Sequence, residues 1–171
     1  MDTYCKSIKE KISGLSWNRG IDNFLLEKVP FDFTHNTAFA QNIAALIAYH
    51  YELNNSPMKI VELGAGSSLL ACRVLDILSN SNPSILQYVT FVVTSSSNTV
   101  LLEANQGPFV DRFRDNLYFQ RFDFINDDYT QLGVVSLYIL SYLLDSIPHR
   151  HLKYHKGLLS EKRVKTTIDN T

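Results

Sequence analysis

Lys59-Ile60-Val61-Glu62-Leu63-Gly64-Ala65-Gly66-Ser67-Ser68 is the stretch on which the fold turns. Lys59 to Leu63 reads as a short buried strand. Gly64-Ala65-Gly66 is a turn that bends sharply and keeps Cβ atoms away from whatever lies against its glycines. Ser67 or Ser68 then caps a helix that runs to about Leu78, with Leu70, Val74, Leu75 and Leu78 near one face. Cys72 falls inside this apolar stretch and reads as a small core residue. Strand, glycine turn and helix together aim the free N–H groups of the helix start at anything bound over the turn.

Upstream, Phe39, Ile43, Leu46, Ile47 and Leu53 form one apolar stripe of a helix capped by Thr34, Asn36 or Thr37 and stopped by Asn54-Asn55-Ser56-Pro57. Downstream, Tyr88 to Val93 is a second strand, rich in β-branched residues. Ser95-Ser96-Ser97-Asn98 is a turn and cap for a helix over Thr99 to Asn105, ended by Gly107-Pro108. Leu117 to Phe122 is a third strand. Val134 to Leu140 is a fourth, apolar enough for a sheet covered on both faces. Tyr118, Phe119, Phe122 and Phe124 read as core. Leu143 to Ile147 reads as a helical turn, and Leu152 to His155 and Leu158 to Val164 as strands around Gly157. Strands alternating with helices predict an α/β fold with a parallel sheet flanked by helices and joined by right-handed crossovers. Residues 1–33 form an irregular segment with one short helix over Asp22 to Lys28, residues 34–165 the α/β domain, and residues 166–171 a tail.

At 171 residues the chain has the length of one domain. With 45% hydrophobic residues and a net charge of −1, it is neither a disordered chain nor one with an overall field for nucleic acid. No apolar run approaches the roughly 18 residues of a membrane span. Cys5 and Cys72 make neither a disulfide framework nor a metal site, and residues 1–10 have no apolar signal-peptide core. The expected compartment is the reducing cytoplasm, with the mitochondrial matrix as the alternative. His149, His151 and His155 lack the spacing of a metal helix, so no metal is expected. Ser67 is not a nucleophile elbow, because Ala65 and Leu69 stand where that motif needs glycines.

The glycine turn has two readings besides an ordinary tight turn. A dinucleotide fingerprint, G-x-G-x-x-G, would need a third glycine where Leu69 stands. An acid two residues before the first glycine suits a different ligand, since Glu62 is able to hold an ammonium group or a water. In this respect Glu62-Leu63-Gly64-Ala65-Gly66 resembles the first motif of class I S-adenosylmethionine (AdoMet) methyltransferases, in which the glycine loop passes under the methionine part of the cofactor. The resemblance implies a Rossmann-like sheet, AdoMet as cofactor, and Glu62, Gly64, Ala65, Gly66 and Ser67 as binding residues. It also implies an acid gripping the ribose at the end of the second strand. Ser95 occupies that place, and a serine forgoes the charge-assisted pair of bonds, about 1–2 kcal/mol. After the third strand, Asp123 and Phe124 fit an acid for the adenine amino group and an apolar neighbour for its ring. With Asp127 and Asp128 following, the same residues also fit a solvated acidic loop.

Three segments are similar to a narrower branch, the MidA-like methyltransferases, whose mitochondrial members methylate a protein arginine during respiratory complex I assembly. Asp32-Phe33-Thr34 precedes the first helix, the glycine loop follows, and Leu143-Leu144-Asp145-Ser146-Ile147-Pro148 resembles the family's segment after the fourth strand. Ser141 and Tyr142 stand where that family carries Asn-Glu. The family's chains are longer, so the expected sheet is incomplete at its C-terminal strands, to be completed by self-association or by a second polypeptide. Protein is the implied substrate; an inactive remnant serving as a partner subunit and a nucleotide-binding oxidoreductase are the rival readings. No catalytic base is identified, since in-line methyl transfer rests on alignment.

Overall fold

A computed structural model of the chain describes residues 2–3, 15, 36–141, 143–144, 150–161 and 163–164. The described elements are β1 (Asp2–Thr3), α1 (Thr37–Asn54), β2 (Met58–Glu62), α2 (Leu69–Ser81), β3 (Val89–Ser95), α3 (Asn98–Asn105), β4 (Leu117–Arg121), β5 (Leu137–Ile139), β6 (Leu152–His155), β7 (Leu158–Glu161) and β8 (Arg163–Val164). The expected helix over Asp22 to Lys28 lies outside the described residues, as do Asp32-Phe33-Thr34 and Asp145 to Pro148.

β2, β3, β4 and β5 form a parallel sheet in the order β4-β3-β2-β5. The chain steps outward from β2 to β3 to β4, then returns to place β5 on the other side of β2. The reversal creates a switch point at the carboxyl ends of β2 and β5, where open α/β sheets bind ligands. β6 and β7 form a separate antiparallel hairpin around Lys156 and Gly157, both at positive φ. β1 pairs antiparallel with β8.

The two faces of the sheet are covered differently. Met58, Ile60, Phe91, Val93 and Ile139 point into the main core, beneath Ala40, Ala44 and Ile47 of α1, the apolar face of α2 and Leu101 of α3. Val61 and Val92 point the other way, onto a small cluster of Leu63, Phe122, Leu132 and Leu143. Helices therefore cover one face, and on the other, among the described residues, lie Phe122, Leu132 and Leu143 from the segments on either side of β5. This corrects the reading of the fourth strand. β5 is three residues long, Val134 is 93% exposed, and Tyr138 and Leu140 are also exposed. Tyr118 lies on the same underfilled face and is exposed too, whereas Phe119 is half-buried and Phe122 buried.

α2 buries Leu70, Val74, Leu75 and Leu78 as the periodicity predicts. α1 follows the expected stripe in part: Ile47 is buried and Phe39 and Ile43 pack half-buried on the core, but Leu46 and Leu53 are exposed, and Ala40 and Ala44 complete the buried face. α1 packs against α2, and alanines at the contact let two helices approach closely. Of the three cap candidates for α1, Asn36 is the one used, its side chain accepting from the Phe39 N–H at 2.7 Å. Pro83–Tyr88 is a 3-10 helix, so β3 starts at Val89 and runs two residues past the expected end, to Ser95.

Candidate functional site

The glycine loop sits at the switch point. Its backbone is tied to both flanking strands, the Leu63 N–H donating to the Ile139 carbonyl and the Ala65 N–H to the Thr94 carbonyl, each at 2.9 Å. Thr94 is buried, and its hydroxyl donates to the Glu62 carbonyl at 2.8 Å, closing the end of β2 against β3. Thr94 was not among the expected site residues. Its one sequence signal was a polar side chain directly after the apolar run Phe91-Val92-Val93.

Gly64 and Gly66 have φ of 68° and 56°, a region that L-residues avoid. A Cβ on Gly64 would lie 2.6 Å from Leu143 Cδ1. The missing side chain on that side makes room for Leu143, which arrives from the segment after β5. Ala65 is buried.

Ser68 precedes α2 with φ 61° and gives no side-chain cap; its hydroxyl donates instead to the Ala104 carbonyl at 3.4 Å. Ser67 does not cap α2 either, and its Oγ is buried with no partner among the described residues. The start of α2 is thus left without a side-chain cap.

Glu62 is 1% exposed, on the face of β2 shared with Met58 and Ile60. Its Oε2 is likewise buried without a hydrogen-bond partner among the described residues. Burial pushes its carboxyl up to about 8. Cys72 of α2 feels the same surroundings: burial, opposed by a hydrogen bond with Ser68, pushes its thiol up to about 11, with the Glu62 charge adding to the rise. The buried Glu62 Oε2 and Ser67 Oγ, neither with a partner among the described residues, bracket the loop. An unmet buried polar group costs about 1–3 kcal/mol, so both gain from a ligand that supplies polar hydrogens and acceptors here. These residues fit a ligand with an ammonium group, and the uncapped α2 start fits its carboxylate.

At the end of β3, Ser95 is half-buried and its Oγ accepts from the Ser97 N–H at 3.2 Å. Ser97 caps α3, its Oγ accepting from the Val100 N–H. Asp123 follows β4, and its carboxylate accepts from the N–H groups of Ile125 and Asn126 and from the Asn126 side chain. Partial burial raises its carboxyl, but those bonds and the Arg121 charge outweigh it and hold the group below its ordinary value. Phe124 is half-buried against the small cluster that includes Leu63 and Leu143. Asp127, read from the sequence only as part of an acidic loop, organises this turn: it accepts from the Asp123 N–H at 2.8 Å and pairs with Arg121 at 3.5 Å.

No protein-family model and no curated protein matches the chain. Among solved structures it is similar to a candidate methyl transferase from Burkholderia thailandensis bound to S-adenosyl-homocysteine. There the identity is 15% and the TM-score 0.47, over 78% of this chain and 36% of that one. It is also similar to an uncharacterized protein of the same superfamily from the same organism, at 16% identity and a TM-score of 0.45, over 74% of this chain and 35% of that one. The chain therefore spans about a third of the length of these two proteins.

Proposed function

We propose that the chain is an AdoMet-binding methyltransferase domain of the MidA-like type, acting on a protein, with arginine as the acceptor that the family resemblance implies. The observation that carries the cofactor is the glycine loop at the switch point, flanked by the buried, unpartnered Glu62 Oε2 and Ser67 Oγ. Glu62 holds the ammonium group of the cofactor and Ser67 a neighbouring polar atom. The backbone of Gly64, Ala65 and Gly66 lies beneath the methionine part. Ser95 bonds the ribose; Asp123 and Phe124 border the adenine. When bound, AdoMet supplies a sulfonium methyl group for in-line transfer. The chain's residues contribute position and the exclusion of water. The MidA-like assignment is carried by sequence resemblance, of which the glycine loop, Leu143 and Leu144 lie within the described residues. Two cysteines, with Cys72 free and buried, suit a reducing compartment, the cytoplasm or the mitochondrial matrix.

A second reading, an inactive remnant that keeps the fold as a partner subunit, is favoured by Ser95, which offers the ribose one hydroxyl already engaged by the Ser97 N–H. Calorimetric titration with AdoMet and with NAD, paired with a radiolabelled methyl-transfer assay on protein substrates, separates the readings. AdoMet binding with transfer supports the enzyme, and AdoMet binding without transfer the remnant. NAD binding in place of AdoMet overturns both.

A further inference from the structure

Glu62 is buried at the end of β2, and among the described residues no charged group pairs with it. β3, running Val89-Thr90-Phe91-Val92-Val93-Thr94-Ser95, offers no acid or base, and Val93 is the residue registered with Glu62. On β5 the registered residue is Ile139; Tyr138 is registered with Val61 and so shares the opposite face. α1 turns Ala40, Ala44 and Ile47 inward, with Tyr51 half-buried and stacked on Tyr88. α2 contributes Cys72, a thiol itself kept neutral by burial. No lysine, arginine or histidine forms an ion pair with Glu62 among the described residues, and Oε2 has no hydrogen-bond donor there. A carboxylate in such a place carries the full cost of desolvation, and protonation removes that cost.

We propose that Glu62 meets its ligand as a neutral acid and releases its proton to solvent when the ligand's ammonium group arrives, so that a positive charge at that end selects what binds tightly. The inference rests on the reading of the glycine loop as an AdoMet site and adds a condition to it. The free state is Glu62–COOH; the bound state is a carboxylate paired with the ligand's ammonium, with one proton passed to the buffer. Glu62 is thus a specificity determinant that reads charge rather than shape. A ligand with the same nucleoside but no amino-acid end leaves the proton in place and forgoes the ion pair. Affinity is expected to rise with pH up to about 8, the value to which burial pushes the acid, and then to level off.

The test counts protons. S-adenosylhomocysteine is titrated calorimetrically into the wild-type chain at pH 7 in phosphate and in Tris, buffers with very different ionisation heats. The expected result is a buffer-dependent heat equal to release of about 0.9 proton per ligand, and an affinity about tenfold weaker at pH 6 than at pH 7. Glu62→Gln should bind more weakly and with equal heats in the two buffers. 5′-Methylthioadenosine, which lacks the amino-acid end, should bind the wild type with equal heats. Tight binding of S-adenosylhomocysteine to the wild type with equal heats in both buffers overturns the inference and leaves the site assignment standing. Failure of S-adenosylhomocysteine to bind at any pH overturns the site assignment and the inference together.

Discussion

Replacing Glu62 with glutamine should change how the stability of the free chain depends on pH. The carboxyl has an ordinary value of 4.5 and is pushed up to about 8 by burial in the fold. Moving it that far is worth about 5 kcal/mol between the two protonation states. Between those two values the unfolded chain has lost this proton and the folded chain keeps it. Stability from this group is therefore complete below pH 4.5 and is lost as the pH rises towards 8, at about 1.4 kcal/mol per pH unit. From pH 5.5 to 7.5 the loss is about 2.5 kcal/mol, a large part of the roughly 5–15 kcal/mol of a whole domain. Glutamine keeps the size and polarity of the neutral acid and cannot ionise. Urea denaturation of both proteins at half-unit steps from pH 5.5 to 8.5 gives the stability difference directly, and the contributions of all other groups cancel. The glutamine variant should gain on the wild type by about 2.5 kcal/mol across the first two pH units. Parallel stability curves would show that Glu62 is ionised in the folded protein, or reaches solvent, and would refute the reasoning.

Gly64→Ala is expected to cost about 1–3 kcal/mol, since it adds a Cβ 2.6 Å from Leu143 Cδ1 at a backbone φ of 68°. Adding Leu143→Ala should return the steric part and leave about 1 kcal/mol of backbone strain, measured as a coupling in a double-mutant cycle; simple additivity would remove Leu143 from the explanation. Ser95→Asp should lower the dissociation constant of S-adenosylhomocysteine about tenfold by giving the ribose two charged acceptors, and an unchanged or weaker constant by calorimetry would take Ser95 out of the ribose site. Tyr138, Leu140 and Leu144 are exposed on and beside β5, and no described strand pairs with its outer edge. The purified chain should therefore sediment with a mass that rises with concentration and falls on Tyr138→Lys with Leu140→Lys; a monomer at all concentrations would oppose this.

Several features were legible in the sequence because they depend on near neighbours along the chain. The β2–glycine turn–α2 unit, the buried face of α2 and the Asn36 cap follow from strand and helix periods, from φ values that glycine tolerates, and from a side chain reaching an N–H three residues on. The alternation of strands and helices also limited the fold to a parallel α/β sheet, since strands joined by helical crossovers run the same way. The tertiary structure decided whatever depends on a partner distant in sequence. α1 turns Phe39, Ile43 and Ile47 to the core as the period predicts but centres the buried face on Ala40 and Ala44 and leaves Leu46 and Leu53 exposed, since periodicity alone does not fix the centre of a contact stripe. β5 is three residues long and the apolar run from Val134 to Leu140 is mostly exposed, since the described residues on the second face make only a small cluster. Asp123 has its carboxylate bound by its own turn, a local arrangement that the residue types permit without requiring. The chemistry of Glu62 shows the division most plainly. The sequence placed an acid at the end of a strand beside a glycine turn; burial in the fold is what pushes its carboxyl up, because ionisation is governed by the dielectric and charges brought around a group in space.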